Sequence, residues 1–170
     1  VSHSTGDLIT RYIIDNQALW LQNAGLTPLN IVASFDFAGA GGGSELADLA
    51  VNVATGGGLI DAALKFAVSL WLGEMPSAAN VGVLQDLRVN TARQLAPQPQ
   101  SKIPRLRFVG GASDYLGATS PFLPGDDDGV VAPHSSCGAS QVASFESCSA
   151  SVDLDGKLAS QSAGVRNFMP

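Results

Sequence analysis

Cationic side chains are scarce in this sequence. Of its 170 residues only 9 are Lys or Arg, against 15 Asp or Glu, so the formal net charge is −6 and the pI is near 4.6. Lys and Arg never gather into a run. Nucleic-acid binding needs basic stripes that replace phosphate counterions, so that class of partner is excluded. Cysteine is limited to Cys137 and Cys148, and no second pair of Cys or His stands at zinc spacing. A metal site is therefore not expected. Uninterrupted apolar runs of about 18 residues are missing as well, so no membrane span is expected. No signal-peptide pattern opens the sequence, which lacks an initiator methionine and is expected to begin inside a strand. What remains is 45% hydrophobic residues, only 14% charged ones and 19 glycines, enough for one domain with a buried core.

The stretch that organises the chain is Val1-Ser2-His3-Ser4-Thr5-Gly6. Read bottom-up, it is the end of a strand, a turn carrying a serine, and the start of a helix. Ser2-x-Ser4-x-Gly6 has small residues two positions either side of Ser4, as a sharp strand-to-helix turn requires where the backbone passes close to itself. Such a turn lifts the hydroxyl clear of the sheet and aims the Thr5 N–H at the place where negative charge develops. A plain N-terminal serine cap is the alternative for the same letters.

Asp7 to about Gln22 is predicted helical, with an apolar face of Leu8, Ile9, Tyr12, Ile13, Leu19 and Trp20, stopped by Asn23-Ala24-Gly25. Leu29 to Phe35 reads as a buried strand before the glycine-rich turn at 39–43. Ser44 caps the next helix, with Glu45 in its first turn. A dinucleotide fingerprint fails here, because Ser44 stands where its third glycine belongs. Leu59 to Leu72 is an apolar helix with a thin polar stripe of Asp61, Lys65 and Ser69, read either as a core helix or as a cap over an apolar ligand. Ser77 to about Leu95 is one further helix, and Arg105 to Val109 is a strand ended by Gly110-Gly111. Pro124 to Val131 is a turn with three carboxylates, Asp126, Asp127 and Asp128. Three carboxylates alone do not fill a calcium shell. Cys137 and Cys148 stand either as a disulfide, contributing roughly 3 kcal/mol and implying an oxidising compartment, or as two buried thiols.

Ser2-His3-Ser4-Thr5-Gly6-Asp7-Leu8-Ile9-x-Arg11-Tyr12 resembles the elbow and following helix of α/β-hydrolase lipases, often G-H-S-x-G-G-x-x-x-R-Y. Ser2 replaces the first glycine of that pattern and Asp7 the second glycine of its pair. Gly43-Ser44-Glu45-Leu46-Ala47-Asp48 is similar to the family's G-S-x-x-A-D, although the P-H-R that often precedes it is absent. Asp128-Gly129-Val130-Val131 with Ser135-Ser136-Cys137-Gly138 resembles the segment that carries the triad acid in many lipases.

The resemblance implies a partial α/β-hydrolase fold over 1–170, from the elbow to just before the catalytic histidine, with a cap or lid at 56–76. It implies a secreted, extracellular lipase or carboxylesterase that degrades lipids or other acyl esters without a cofactor. Ser4 is the implied nucleophile, Thr5 the oxyanion donor, and Asp128 the acid, with Asp127 its nearest rival. Leu64, Val68 and Trp71 are expected at the acyl site or lid. The family's base follows the last strand, and neither His3 nor His134 stands there. The chain alone is therefore expected to be almost inactive. A second chain supplying strands and a histidine, and contact with a lipid interface, are the partners this implies. The alternatives are a non-catalytic module that binds apolar ligands or a partner, and a rearranged site in which His134 is the base.

Overall fold

The computed structural model describes residues 1–55, 69, 73, 77, 81–97, 103–111 and 117–142. The expected cap at 56–76, with Leu64, Val68 and Trp71, lies outside the described residues, apart from isolated positions, and so do Cys148 and the tail beyond it.

Among the described residues three parallel strands form one sheet in the order β1 (Ser2–His3), β2 (Ser34–Phe37), β3 (Arg105–Phe108). Its register pairs Ser2 with Asp36, Asp36 with Arg107, and Ser34 with Arg105. Paired residues share a face, so one face carries Ser2, Ser34, Asp36, Arg105 and Arg107. The other carries His3, Phe35, Phe37, Leu106 and Phe108, with Phe37 and Phe108 stacked at 4.3 Å between ring centroids. The polar face is the covered one: Ser34 and Asp36 are buried, whereas Phe35 and Phe37 are exposed.

Helix α1 (Thr5–Asn23) matches the expected span, but it turns a different face inward. Asp7, Leu8, Arg11, Ile14 and Gln17 are buried, while Ile9, Tyr12, Leu19 and Trp20 are exposed. The helix closes as glycine chemistry dictates: Gly25 takes φ 71° and the Leu26 N–H reaches back to the Leu21 carbonyl at 2.7 Å.

The expected strand at 29–35 is shorter and shifted to Ser34–Phe37. Leu29 is held instead by the Gln17 side chain, which accepts from its N–H at 2.8 Å and donates to its carbonyl at 3.2 Å. That amide takes the place of a ladder partner, so Leu29 and Val32 stay exposed.

Helix α2 (Glu45–Ala54) begins where the sequence places it. The Ser44 hydroxyl accepts from the Leu46 N–H at 3.2 Å.

One predicted helix over 77–95 is two among the described residues, α3 (Gly82–Asp86) and α4 (Val89–Leu95). The break comes from Asp48, whose carboxylate accepts from Arg88 Nε at 2.8 Å and from the Val89 N–H at 3.1 Å. It caps α4 from another element, an effect no local pattern encodes. Leu8, Ala47, Ala50, Val51, Leu84, Leu87 and Ala92 pack between these helices as the core.

A short helix, α5 (Pro133–Ser136), follows the acidic turn. No described helix is long and apolar enough to cross a membrane.

Candidate functional site

Ser4 sits between β1 and α1 with φ 53° and ψ −124°. A left-handed backbone at a residue with a Cβ costs about 1–3 kcal/mol and persists only where its surroundings hold it. Three hydrogen bonds do so. The Ser4 N–H donates to the Phe37 carbonyl at 3.2 Å, and the Ser4 carbonyl accepts from Asp7 N–H at 3.1 Å and Ala40 N–H at 2.9 Å. The Ser4 hydroxyl makes no capping bond to α1, so the plain N-cap reading is set aside. A Cβ at Gly6 would come into contact with the Ser2 Cβ at 3.4 Å. Thr5 is the first residue of α1, and its N–H is among those a helix leaves without an internal acceptor.

Beneath the elbow lies a buried ionic cluster that the sequence reading missed. Asp7 accepts from Arg11 Nη2 at 2.6 Å and from Arg105 Nη2 at 2.8 Å, all three side chains being almost fully buried. Asp36 lies beside them, its Oδ1 accepting from Ser2 Oγ at 2.9 Å. Burial first, and then the Asp7 charge, push the Asp36 carboxyl up to about 6, against the Ser2 bond and the two arginines. Burial and the neighbouring Arg105 and Arg11 pull Arg107 down to about 10. The glycine-rich turn fits over this cluster: a Cβ at Gly39 would collide with the Asp36 carboxyl, and one at Gly41 with Asp7 and Arg11. Asp7, a departure from the lipase pattern, and the glycines at 39–43 were the only signals available beforehand.

The acidic turn stands at the same end of the sheet. Gly110 follows β3 by two residues, and a Cβ there would lie 2.6 Å from the Asp128 Cβ. Ser4 follows β1 and Asp128 lies past the end of β3, with β2 between them, so two strand spacings, about 10 Å, separate those strands. Asp128 Oδ1 accepts from the N–H groups of Val130 at 3.0 Å and Val131 at 2.7 Å. Its other oxygen is not used in those bonds. Asp127 is buried, and its Oδ1 accepts from the Gly129 N–H at 2.7 Å. The turn is fastened to the glycine loop by Ser44 Oγ donating to the Val130 carbonyl at 2.7 Å and by the Gly42 N–H donating to Ser135 Oγ at 3.0 Å.

His134 is fully buried with both ring nitrogens engaged. Arg93 Nη2 lies 2.8 Å from Nδ1, and Glu45 Oε1 lies 2.7 Å from Nε2. Since a guanidinium only donates, Nδ1 is the acceptor and Nε2–H the donor. No lone pair is left to receive a proton from Ser4. His3 lies on the opposite sheet face from Ser2 and is exposed. Cys137 is buried and is not a free thiol. Among the described residues no group of His, Cys, Asp and Glu is arranged to hold a metal ion.

An apolar groove of about 430 Å³ runs along the outer side of α1, lined by Leu8, Ile9, Tyr12, Ile13, Trp20, Asp86, Leu95 and Ala96. Its α1 residues belong to the apolar face that the sequence marked on that helix. No family model, no curated protein and no solved structure matches the chain.

Proposed function

We propose that this chain carries the nucleophile and the acid of a serine ester hydrolase of the lipase or carboxylesterase type, on part of an α/β-hydrolase fold. The observation that carries the reading is the backbone of Ser4, φ 53° and ψ −124°, at a strand-to-helix turn. Strain of that kind at a serine with a free-standing hydroxyl suits a nucleophile and serves no purpose in a cap. In this reading Ser4 Oγ attacks the ester carbonyl and the Thr5 N–H donates to the developing oxyanion. The alcohol leaves, and water then cleaves the acyl-enzyme. Asp128 is preferred to Asp127 as the acid because it opens Asp128-Gly129-Val130-Val131, the segment whose resemblance suggests the triad acid. Asp128 orients an imidazole that these 170 residues do not provide, since His134 is fully engaged and His3 faces away. That base comes from outside these residues, on a further stretch of the same polypeptide or on a second one. Secretion and a lipid or acyl-ester substrate belong to the same proposal.

The test is the intact mass of the purified protein before and after a fluorophosphonate probe. A single adduct that is lost in Ser4→Ala supports the reading. A protein that stays unmodified when the strands and histidine missing from these residues are present overturns it.

A second reading, a non-catalytic module for apolar ligands, is favoured by the groove along α1. In that case Ser4→Ala leaves the binding of an aliphatic fluorophore unchanged, and no adduct forms on the unmutated protein.

A further inference from the structure

The polypeptide enters the Ser4 elbow through Ser2 and is gripped from above by the glycine-rich turn, whose Ala40 N–H donates to the Ser4 carbonyl at 2.9 Å. One side chain touches both. Asp36 Oδ1 accepts from Ser2 Oγ at 2.9 Å. Its Oδ2 lies so close to Gly39 that a Cβ there would collide with it, and no hydrogen-bond partner among the described residues satisfies that buried oxygen. Asp36 is 1% exposed, so it is wedged between the strand and the turn rather than draped over them.

We propose that Asp36 is the positioning residue of the Ser4 elbow: its carboxyl sets the separation between Ser2 and the Gly39–Ala40 turn, and so fixes where the Ser4 carbonyl and hydroxyl stand. The inference deepens the hydrolase reading and rests on it for its relevance to catalysis. Its structural content stands apart. Asp36 has no local reason to sit in a strand, where Asp is depleted. A buried carboxyl with one unsatisfied oxygen is a costly choice that a threonine or valine would avoid.

The electrostatic setting makes the position responsive to protonation. Asp36 faces Ser2 on β1, Asp7 and Arg11 on α1, Arg105 and Arg107 on β3, and the Gly39 backbone. Burial and Asp7 favour the neutral acid, whereas Ser2, Arg11 and Arg105 favour the anion. The neutral and ionised forms bond Ser2 with different strength, since a charged acceptor makes the shorter, stronger bond. Loss of the proton therefore draws Ser2, and with it the elbow, toward Asp36.

The experiment follows the backbone amide resonances of Ser4 and Ala40 by NMR between pH 4.5 and 8. It uses the 170-residue chain in a His3→Gln background, which removes the adjacent imidazole. Both amides are expected to shift with one midpoint near 6, the value to which the Asp36 carboxyl is pushed. In Asp36→Asn, which keeps the size and the acceptor, the Ser4 signal should stay close to its original place and its titration should vanish. In Asp36→Ala both signals should move at every pH. Amides that do not titrate, or that titrate unchanged in Asp36→Asn, overturn the proposal even if Asp36→Ala fails to fold. Fluorophosphonate labelling of the same samples separates the two readings. Titrating amides on a Ser4 that stays unlabelled when the missing strands and histidine are present sink the hydrolase assignment and leave Asp36 as the residue that positions the turn.

Discussion

Arg105 Nη2 donates to Asp7 Oδ1 at 2.8 Å, joining the start of β3 to the first turn of α1 across 98 positions of sequence. Arg11 takes the other oxygen of the same carboxylate at 2.6 Å. The pair explains why a carboxylate is buried in the first turn of α1. It also explains why α1 lies on the polar face of the sheet.

Removing that carboxylate leaves two arginines buried without their countercharge. Asp7→Asn is therefore expected to cost about 3–5 kcal/mol, a large share of the stability of an ordinary domain. Urea denaturation at neutral pH measures it. A loss below about 1 kcal/mol would mean that water reaches the cluster.

Strain at Ser4 has its own signature. Glycine adopts positive φ without a Cβ penalty, so Ser4→Gly is expected to be about 1 kcal/mol more stable than Ser4→Ala, after allowing for the greater freedom of glycine in the unfolded chain. Neither variant retains the hydroxyl, so the comparison isolates the backbone. Equal midpoints in denaturant would show that the turn stores no strain.

Asp36 sets a pH dependence of stability whose sign follows from its raised pKa. Well below the ordinary pKa of 3.8 the folded and unfolded chains both hold the proton. As pH rises from the ordinary value of 3.8 to about 6, the unfolded chain loses it first, and stability falls. The full decline is on the order of 3 kcal/mol at 1.36 kcal/mol per pH unit. Asp36→Asn should lack it, so the variant gains on the parent between pH 4 and pH 7.5. A variant that loses ground as pH rises would reverse the assignment.

His134 is expected to act through structure. Its removal strips Arg93 and Glu45 of their buried partner, and His134→Ala should lower stability by about 2–4 kcal/mol. At temperatures where the variant stays folded, fluorophosphonate labelling of Ser4 should proceed as before. Labelling abolished in a folded variant would instead identify His134 as the base.

The sequence by itself determined the features whose causes lie within a few residues. The span of α1, its closure at Gly25, the Ser44 cap, strand β3 and the small-residue spacing around Ser4 follow from local dihedral and capping preferences. The tertiary structure decided which faces were buried. Apolar periodicity marked Ile9, Tyr12 and Trp20 as part of the apolar face of α1, yet all three are exposed. Arg105 supplied a countercharge that turned Asp7 and Arg11 inward instead. Asp48 split the 77–95 helix by capping Val89, and Gln17 kept Leu29 out of the sheet. Arg93 and Glu45 occupied both nitrogens of the histidine that stood as an alternative base. Each of these depends on a partner between 12 and 98 positions away. Buried charges and amides are satisfied by whatever the fold brings near, and no local pattern names that group.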